Sequence, residues 1–83
     1  MDPRGPVVLV IDGDAGERLR VAALLRENGY ACAAASPGAA ALAMAARVKP
    51  RLVLARRGAA RLLAELGRLL PGATIATFDP PAG

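Results

Sequence analysis

The sequence has no histidine and no tryptophan, and it has a single cysteine, a single tyrosine and a single phenylalanine. Without histidine, the chain lacks the commonest general base and metal ligand of proteins. One cysteine cannot form a disulfide within the chain or complete a zinc site. Because Cys32 lies in an apolar segment, we expect it to be a small packed side chain. The sequence therefore predicts no cofactor and no metal.

Long apolar runs are also absent. No stretch approaches the roughly 18 apolar residues that cross a membrane, and the first residues do not resemble a signal peptide. We therefore expect a cytoplasmic protein with no membrane partner. The 83 residues make one domain at most. Leu, Ile, Val and Phe are 21 of these residues, above the roughly 20 % level that favours disorder, so we expect a globular chain.

The whole chain has a net charge of +4, and its positive charge is concentrated in the second half. The stretch 47–61 contains no acidic residue and six basic ones: Arg47, Lys49, Arg51, Arg56, Arg57 and Arg61. Such asymmetry is typical of proteins with acidic or nucleic-acid partners. With one tyrosine and one phenylalanine, however, the chain has no aromatic platform on which bases could stack. A basic nucleic-acid-binding regulatory module is therefore the alternative interpretation.

Apolar segments alternate with helical segments in the order β-α-β-α-β-α-β. The strands are predicted over 7–11, 30–35, 52–55 and 73–78, and the helices over about 15–28, 38–48 and 59–70. The first apolar run is continuous rather than alternating, which is typical of a strand that is buried on both faces. The pattern predicts an α/β fold, an open parallel sheet of about four strands with helices on both faces.

Residues at the helix ends fit this assignment. Asp14 is a candidate N-cap for the first helix, with Glu17 as its capping-box partner, and Gly29 can end that helix in the left-handed conformation. Ser36 is expected to cap the second helix, with Pro37 at its first position.

Further expectations concern the helix faces. In the first helix we expect the apolar residues to face the sheet and the charged residues to face outward: inward Leu19, Ala22, Ala23 and Leu25, outward Arg18, Arg20, Arg26 and Glu27. In the third helix we expect Glu65 to form ion pairs with Arg61 and Arg68 on the outer face, because these residues lie four and three positions apart.

Several segments resemble the receiver domain of response regulators in two-component signalling. They are VLVIDGD at 8–14, LLRENGY at 24–30, KPRLVL at 49–54 and PGATI at 71–75. The resemblance covers nearly the whole chain, in order, and implies a flavodoxin-like sheet of strand order 2-1-3-4. The family has a fifth strand and helix with no counterpart in 1–83. We therefore interpret 1–83 as a single truncated receiver-like domain with a proline-rich tail at 79–83.

The resemblance also implies a site. In receiver domains an acidic cluster after the first strand holds Mg²⁺, and an aspartate at the end of the third strand accepts a phosphoryl group. Asp12 and Asp14 match the acidic cluster, which is degenerate because Gly13 replaces an acid that is frequent there. Arg56 stands at the acceptor position. Arginine remains protonated and has no acceptor lone pair, so it cannot be the nucleophile.

We therefore expect a pseudo-receiver, neither an enzyme nor a phosphoacceptor. One hypothesis is that Arg56 fills the pocket and pairs with Asp12 or Asp14, so that a permanent cation replaces the metal. The alternative is that Arg56 points into solvent as an ordinary loop charge.

An exposed edge is the remaining expectation. With strand order 2-1-3-4 the fourth strand has unpaired N–H and C=O groups, which invite pairing with a second copy or another protein. Alternatively, Pro80 and Pro81 fold back over this edge, or solvent covers it. The candidate interaction residues are Arg56, Arg57, Arg61, Ile75 and Thr77. The sequence favours a phosphorylation-independent protein–protein interaction module in signalling or regulation, with no small-molecule substrate.

Overall fold

A computed structural model describes residues 7–79. The elements are β1 (Val7–Ile11), α1 (Ala15–Glu27), β2 (Ala31–Ala35), α2 (Ala39–Val48), β3 (Leu52–Arg56), α3 (Ala60–Leu69) and β4 (Thr74–Phe78). The four strands pair in parallel in the order β2-β1-β3-β4. The predicted α/β fold and its flavodoxin-like strand order are confirmed. Apart from Asp79, the tail expected at 79–83 lies outside the described residues.

Strand β1 lies at the centre of the sheet because both of its faces are apolar. Leu9 and Ile11 point to one face and are packed in the main core beneath α2 and α3. Val8 and Val10 alternate with them, are equally buried, and point to the face that α1 covers. The continuous apolar run in the sequence is therefore the signature of a strand covered on both sides.

In the main core, small side chains come from helix α2 and larger ones from helix α3. Helix α2 contributes the fully buried Ala41 and Ala45, which let its backbone approach the sheet closely. Helix α3 contributes Leu62 and Leu66, whose larger side chains fill the space over β3. Alanine buries little apolar area, so α3 supplies much of the hydrophobic stabilisation on this face.

Helix α1 leaves part of its own face of the sheet uncovered. It packs on β1 and β2 through Ala22, which is buried. On the same face, β3 and β4 present Leu54, Ala76 and Phe78, all only partly buried. Cys32 in β2 is also partly buried; desolvation raises the pKa of its thiol, and the charge of Arg26 lowers that pKa in part.

Of the two helix ends predicted from glycine and serine, one is confirmed and one is wrong. Gly29 adopts a positive φ of 90° and ends α1 as expected. The cap expected from Ser36 is wrong: α2 begins after Gly38, which makes no side-chain cap. Gly38 has φ 99° and ψ −141°, a conformation open chiefly to glycine, so the chain turns at Gly38 rather than at Pro37.

The expectation that Leu19 and Ala23 face the sheet is wrong, because both residues are exposed, Leu19 to 65 %. The expectation that Arg18 faces outward is wrong as well, because Arg18 is partly buried and donates from Nη1 to the carbonyl oxygen of Asp12 at 2.7 Å. Ala22 is the buried residue of α1.

The ion pairs expected for Glu65 are also wrong, since no salt bridge joins Glu65 to Arg61 or Arg68. Ordering two long exposed side chains costs about as much entropy as such a pair returns. Within residues 7–79, no helix has the length and apolar character to cross a membrane.

Truncating Leu66 should destabilise the fold far more than truncating an exposed leucine. Leu66 is fully buried, and Leu66→Ala is expected to lower the free energy of unfolding by about 2–5 kcal/mol, because it removes apolar contacts and leaves a cavity. Leu19→Ala is the matched control, and we expect a change of less than about 0.5 kcal/mol. Urea denaturation followed by circular dichroism measures both, and equal losses would contradict the packing described above.

Candidate functional site

The candidate site lies at the carboxyl ends of β1 and β3. These strands are parallel neighbours, and their register places Ile11 beside Ala55. The next residue of each strand is therefore brought to the same place, Asp12 from β1 and Arg56 from β3. Open parallel sheets commonly bind ligands at this edge. Strand register alone thus explains why two residues 44 positions apart meet.

Asp12 is the buried centre of the site, with 0 % of its surface exposed. Its Oδ1 atom accepts hydrogen bonds from the backbone N–H of Asp14 at 2.9 Å and from Nη1 of Arg56 at 3.2 Å. Its Oδ2 atom is also buried and has no hydrogen-bond partner among the described residues. A buried acceptor without a partner lowers the stability of the fold. The positive charge of Arg56 beside Oδ1 is therefore important for the stability of the buried Asp12 carboxylate.

Arg56 reaches the pocket although it is not itself buried. Its side chain is 40 % exposed, while its guanidinium forms a salt bridge with the fully buried side chain of Asp12. The hypothesis that Arg56 pairs with an acidic residue of the pocket is therefore confirmed for Asp12, and Asp14 does not form a salt bridge with it. Arg56 is the last residue of β3 rather than a loop residue, one position beyond the predicted strand end.

Asp14 is committed to the backbone of α1. Its Oδ1 atom accepts from the N–H of Glu17 at 3.0 Å, which confirms the predicted N-cap. The reciprocal half of the capping box is wrong, because the Asp14 N–H donates to Asp12 and the Glu17 carboxylate binds Arg20 at 2.6 Å. The hydrogen bond from Arg20 is the main cause that lowers the pKa of Glu17, and desolvation and the charge of Asp14 oppose it in part.

The residues present do not fit the magnesium site of a receiver domain. Mg²⁺ is held by a few well-placed oxygens, yet Oδ1 of Asp12 already accepts two hydrogen bonds and Asp14 caps α1, so Oδ2 of Asp12 is the single buried side-chain oxygen without a partner among residues 7–79. A divalent ion about 4 Å from the Arg56 guanidinium would experience a repulsion of roughly 8 kcal/mol at an effective dielectric of about 20, before solvation reduces it. Among residues 7–79, no three His, Cys, Asp or Glu side chains form a metal-binding group.

The other basic candidates lie outside this pocket. Arg57 forms a salt bridge with Asp79 at 2.8 Å, with both side chains largely exposed. Arg61 is exposed near the start of α3 and makes no salt bridge with another described residue. Neither of these arginines binds Asp12, so of the three candidate arginines the structure brings only Arg56 into the acidic site.

The candidates in β4 present their backbone to the free edge of the sheet. The Thr74 N–H donates to the carbonyl of Arg51, and the Phe78 carbonyl accepts from the N–H of Arg57, so these alternate residues face the interior of the sheet. Ile75 and Thr77 lie between them and direct their N–H and C=O groups outward. The Ile75 side chain packs against the core, whereas the Thr77 side chain is exposed.

Arg18 is the site residue that sequence reasoning missed. The helical pattern predicts it on the outer face of the first helix, but its hydrogen bond to the Asp12 carbonyl anchors α1 at the site. The spacing of Arg18, Ala22 and Leu25, four and then three residues apart, puts all three on one helix face and could have revealed it.

No family model matches this chain, and no curated protein matches it.

The ion pair should contribute measurably to stability. Arg56→Met is expected to lower the free energy of unfolding by about 1–3 kcal/mol, because it leaves the Asp12 carboxylate buried without its cation. Arg57→Met is the matched control in the neighbouring exposed pair, and its cost should be below about 1 kcal/mol.

The double variant Arg56→Met with Asp12→Asn distinguishes the interaction free energy of the pair from the separate effect of each substitution. Because the asparagine side chain introduced by Asp12→Asn carries no charge, this substitution should cost less in the Arg56→Met background than alone. Chemical denaturation of the wild-type chain, the two single variants and the double variant measures this difference. Additive losses would show that the two side chains do not interact.

Proposed function

We propose that this chain is a degenerate receiver-like domain that works in signalling or regulation by phosphorylation-independent contact with other proteins. The observation that carries this proposal is the salt bridge between Arg56 and the buried Asp12 at the carboxyl edge of the sheet. A guanidinium there supplies the positive charge that a metal supplies in the family, and it cannot accept a phosphoryl group. A cytoplasmic location and the lack of enzymatic activity belong to the same proposal.

The free edge of β4 supports contact as the mode of action. Thr74–Phe78 contains no charged residue and no proline, the two features that commonly protect an edge strand from pairing. Ile75 and Thr77 offer outward backbone groups to which an added strand can bond. The edge therefore suits a strand from a second copy or from another protein. Pro80 and Pro81, the alternative cover for this edge, lie outside the described residues.

The alternative of nucleic-acid binding is not favoured by the placement of the basic residues. Lys49 and Arg51 precede β3, whereas Arg56 and Arg57 lie at its other end. A strand of five residues separates the two groups by roughly 17 Å along the sheet. The basic residues that follow one another in the sequence thus lie at opposite edges of the structure. Arg57 also already forms a salt bridge with an acidic residue of the chain, Asp79.

Incubation with acetyl phosphate and Mg²⁺ tests the phosphorylation-independent part of the proposal. The intact mass of the wild-type chain should remain unchanged, because no carboxylate stands at the acceptor position. Arg56→Asp restores such a carboxylate beside Asp12 and serves as the comparison, provided that circular dichroism shows it folded. Stoichiometric addition of one phosphoryl group to a carboxylate of the wild-type chain would contradict the proposal.

Blocking the edge of β4 tests strand pairing. We expect the wild-type chain to form dimers that dissociate on dilution in light scattering, and Thr77→Pro to be monomeric, because proline removes an outward N–H without breaking a bond to β3. Thr77→Val is the control, since it keeps that N–H and should still dimerise. A wild-type chain that is monomeric at all concentrations would exclude self-association through this edge.

A further inference from the structure

A cavity of about 540 Å³ opens at the end of the sheet opposite the Asp12 site. It lies between the carboxyl ends of α2 and α3, where the chain enters β3 and β4. Ala46, Leu69 and Leu70 form apolar walls, together with Pro50 and Pro71. The volume is that of a site for a small molecule, and such sites are mostly apolar with a few polar groups that fix orientation.

Among residues 7–79, two cations line this cavity and no acidic residue does. Lys49 and Arg51 are both exposed at its rim, and neither forms a salt bridge with another residue of 7–79. Their backbones are well fixed: the Lys49 N–H donates to Ala45 at 2.9 Å, and the Arg51 N–H donates to Val7 at 3.0 Å. The cavity thus combines apolar walls with two positively charged side chains at its rim, which are complementary to an apolar anion.

The backbone around the cavity offers few hydrogen-bond donors to a ligand. Pro50 and Pro71 have no N–H, and Ala46 and Leu69 lie within helices. The N–H groups already bonded to carbonyls are those of Lys49, Arg51, Leu70 and Ala73. A peptide in this cavity would therefore find few donors for its own carbonyl groups, at a cost in free energy. An aliphatic chain has no such groups, so the lining favours a hydrocarbon over a polypeptide.

A shallower groove extends the cavity between α2 and α3. It shares Ala46 and Leu69 with the cavity, continues along Leu42 and Ala43, and is bordered by Glu65 and Arg68. Leu69 is 44 % exposed and lies where the cavity and the groove meet. A chain too long for the cavity would run along Leu42 and Ala43, beside these two charged side chains.

We infer that this cavity binds an aliphatic carboxylate of medium chain length as a ligand. The carboxylate lies between Lys49 and Arg51, and the hydrocarbon chain lies along Ala46 and Leu69. This site is independent of the Asp12–Arg56 pair and of the β4 edge, so its test is separate from the tests of the proposed function.

Titration with decanoate below its micelle concentration, followed by ¹H–¹⁵N NMR, tests the inference. We expect saturable shifts centred on Lys49, Arg51, Leu69 and Gly72. Lys49→Gln with Arg51→Gln should weaken binding by about fivefold or more, as expected for the loss of exposed ion pairs. Arg61→Gln removes one exposed charge at the other end of α3 and should leave binding unchanged. Ala46→Trp, at an exposed position, should block the cavity and abolish the shifts.

Three probes separate the sources of affinity. Decan-1-ol lacks the charge and acetate lacks the chain, so both should bind more weakly than decanoate. A blocked dileucine peptide with a free carboxylate should also bind more weakly, because its amide carbonyls find few donors. The inference is overturned if decanoate gives no saturable shifts, if the Lys49 and Arg51 substitutions leave its affinity unchanged, or if the peptide binds more tightly.

Discussion

The fold brings one buried carboxylate against one arginine, and the carboxyl edge of the sheet is organised around that pair. Asp12 follows the central strand with no exposed surface, so its charge needs compensation inside the protein. Arg56 at the end of β3 supplies the compensating positive charge. Asp12 also accepts hydrogen bonds from the backbone N–H of Asp14 and from the side chain of Arg18. This small network joins β1, β3 and α1 at the carboxyl edge of the sheet.

The two ends of β3 have different chemistry. At its carboxyl end, positive charge is neutralised within the protein, by Asp12 for Arg56 and by Asp79 for Arg57. At its amino end, Lys49 and Arg51 stand beside an apolar cavity with no acidic residue in its lining within the described part of the chain. The basic stretch 47–61 therefore contributes to two surfaces. At one of them internal ion pairs neutralise the positive charge, and at the other Lys49 and Arg51 can bind an external anion.

Much of the fold followed from the sequence because periodicity and turn residues report local structure directly. The continuous apolar run of β1 and the positive φ of Gly29 are examples. The failures concern competition between neighbouring groups. Ser36 is a good capping residue in isolation, but the chain turns at Gly38 instead, two residues further on. Leu19 is exposed, whereas Arg18 bonds to the Asp12 carbonyl. The sequence offers more than one residue for each of these places, and propensity alone does not decide between them.

If the Arg56 guanidinium has taken the place of a metal beside Asp12, Mg²⁺ should find no binding site there. Titration with Mg²⁺, followed by the NMR shifts of the Asp12 and Asp14 amides, tests this replacement most directly. We expect no saturable change at either residue up to the millimolar range, with only the uniform drift caused by ionic strength. Saturable millimolar binding that shifts both residues together would contradict the replacement of the metal by Arg56.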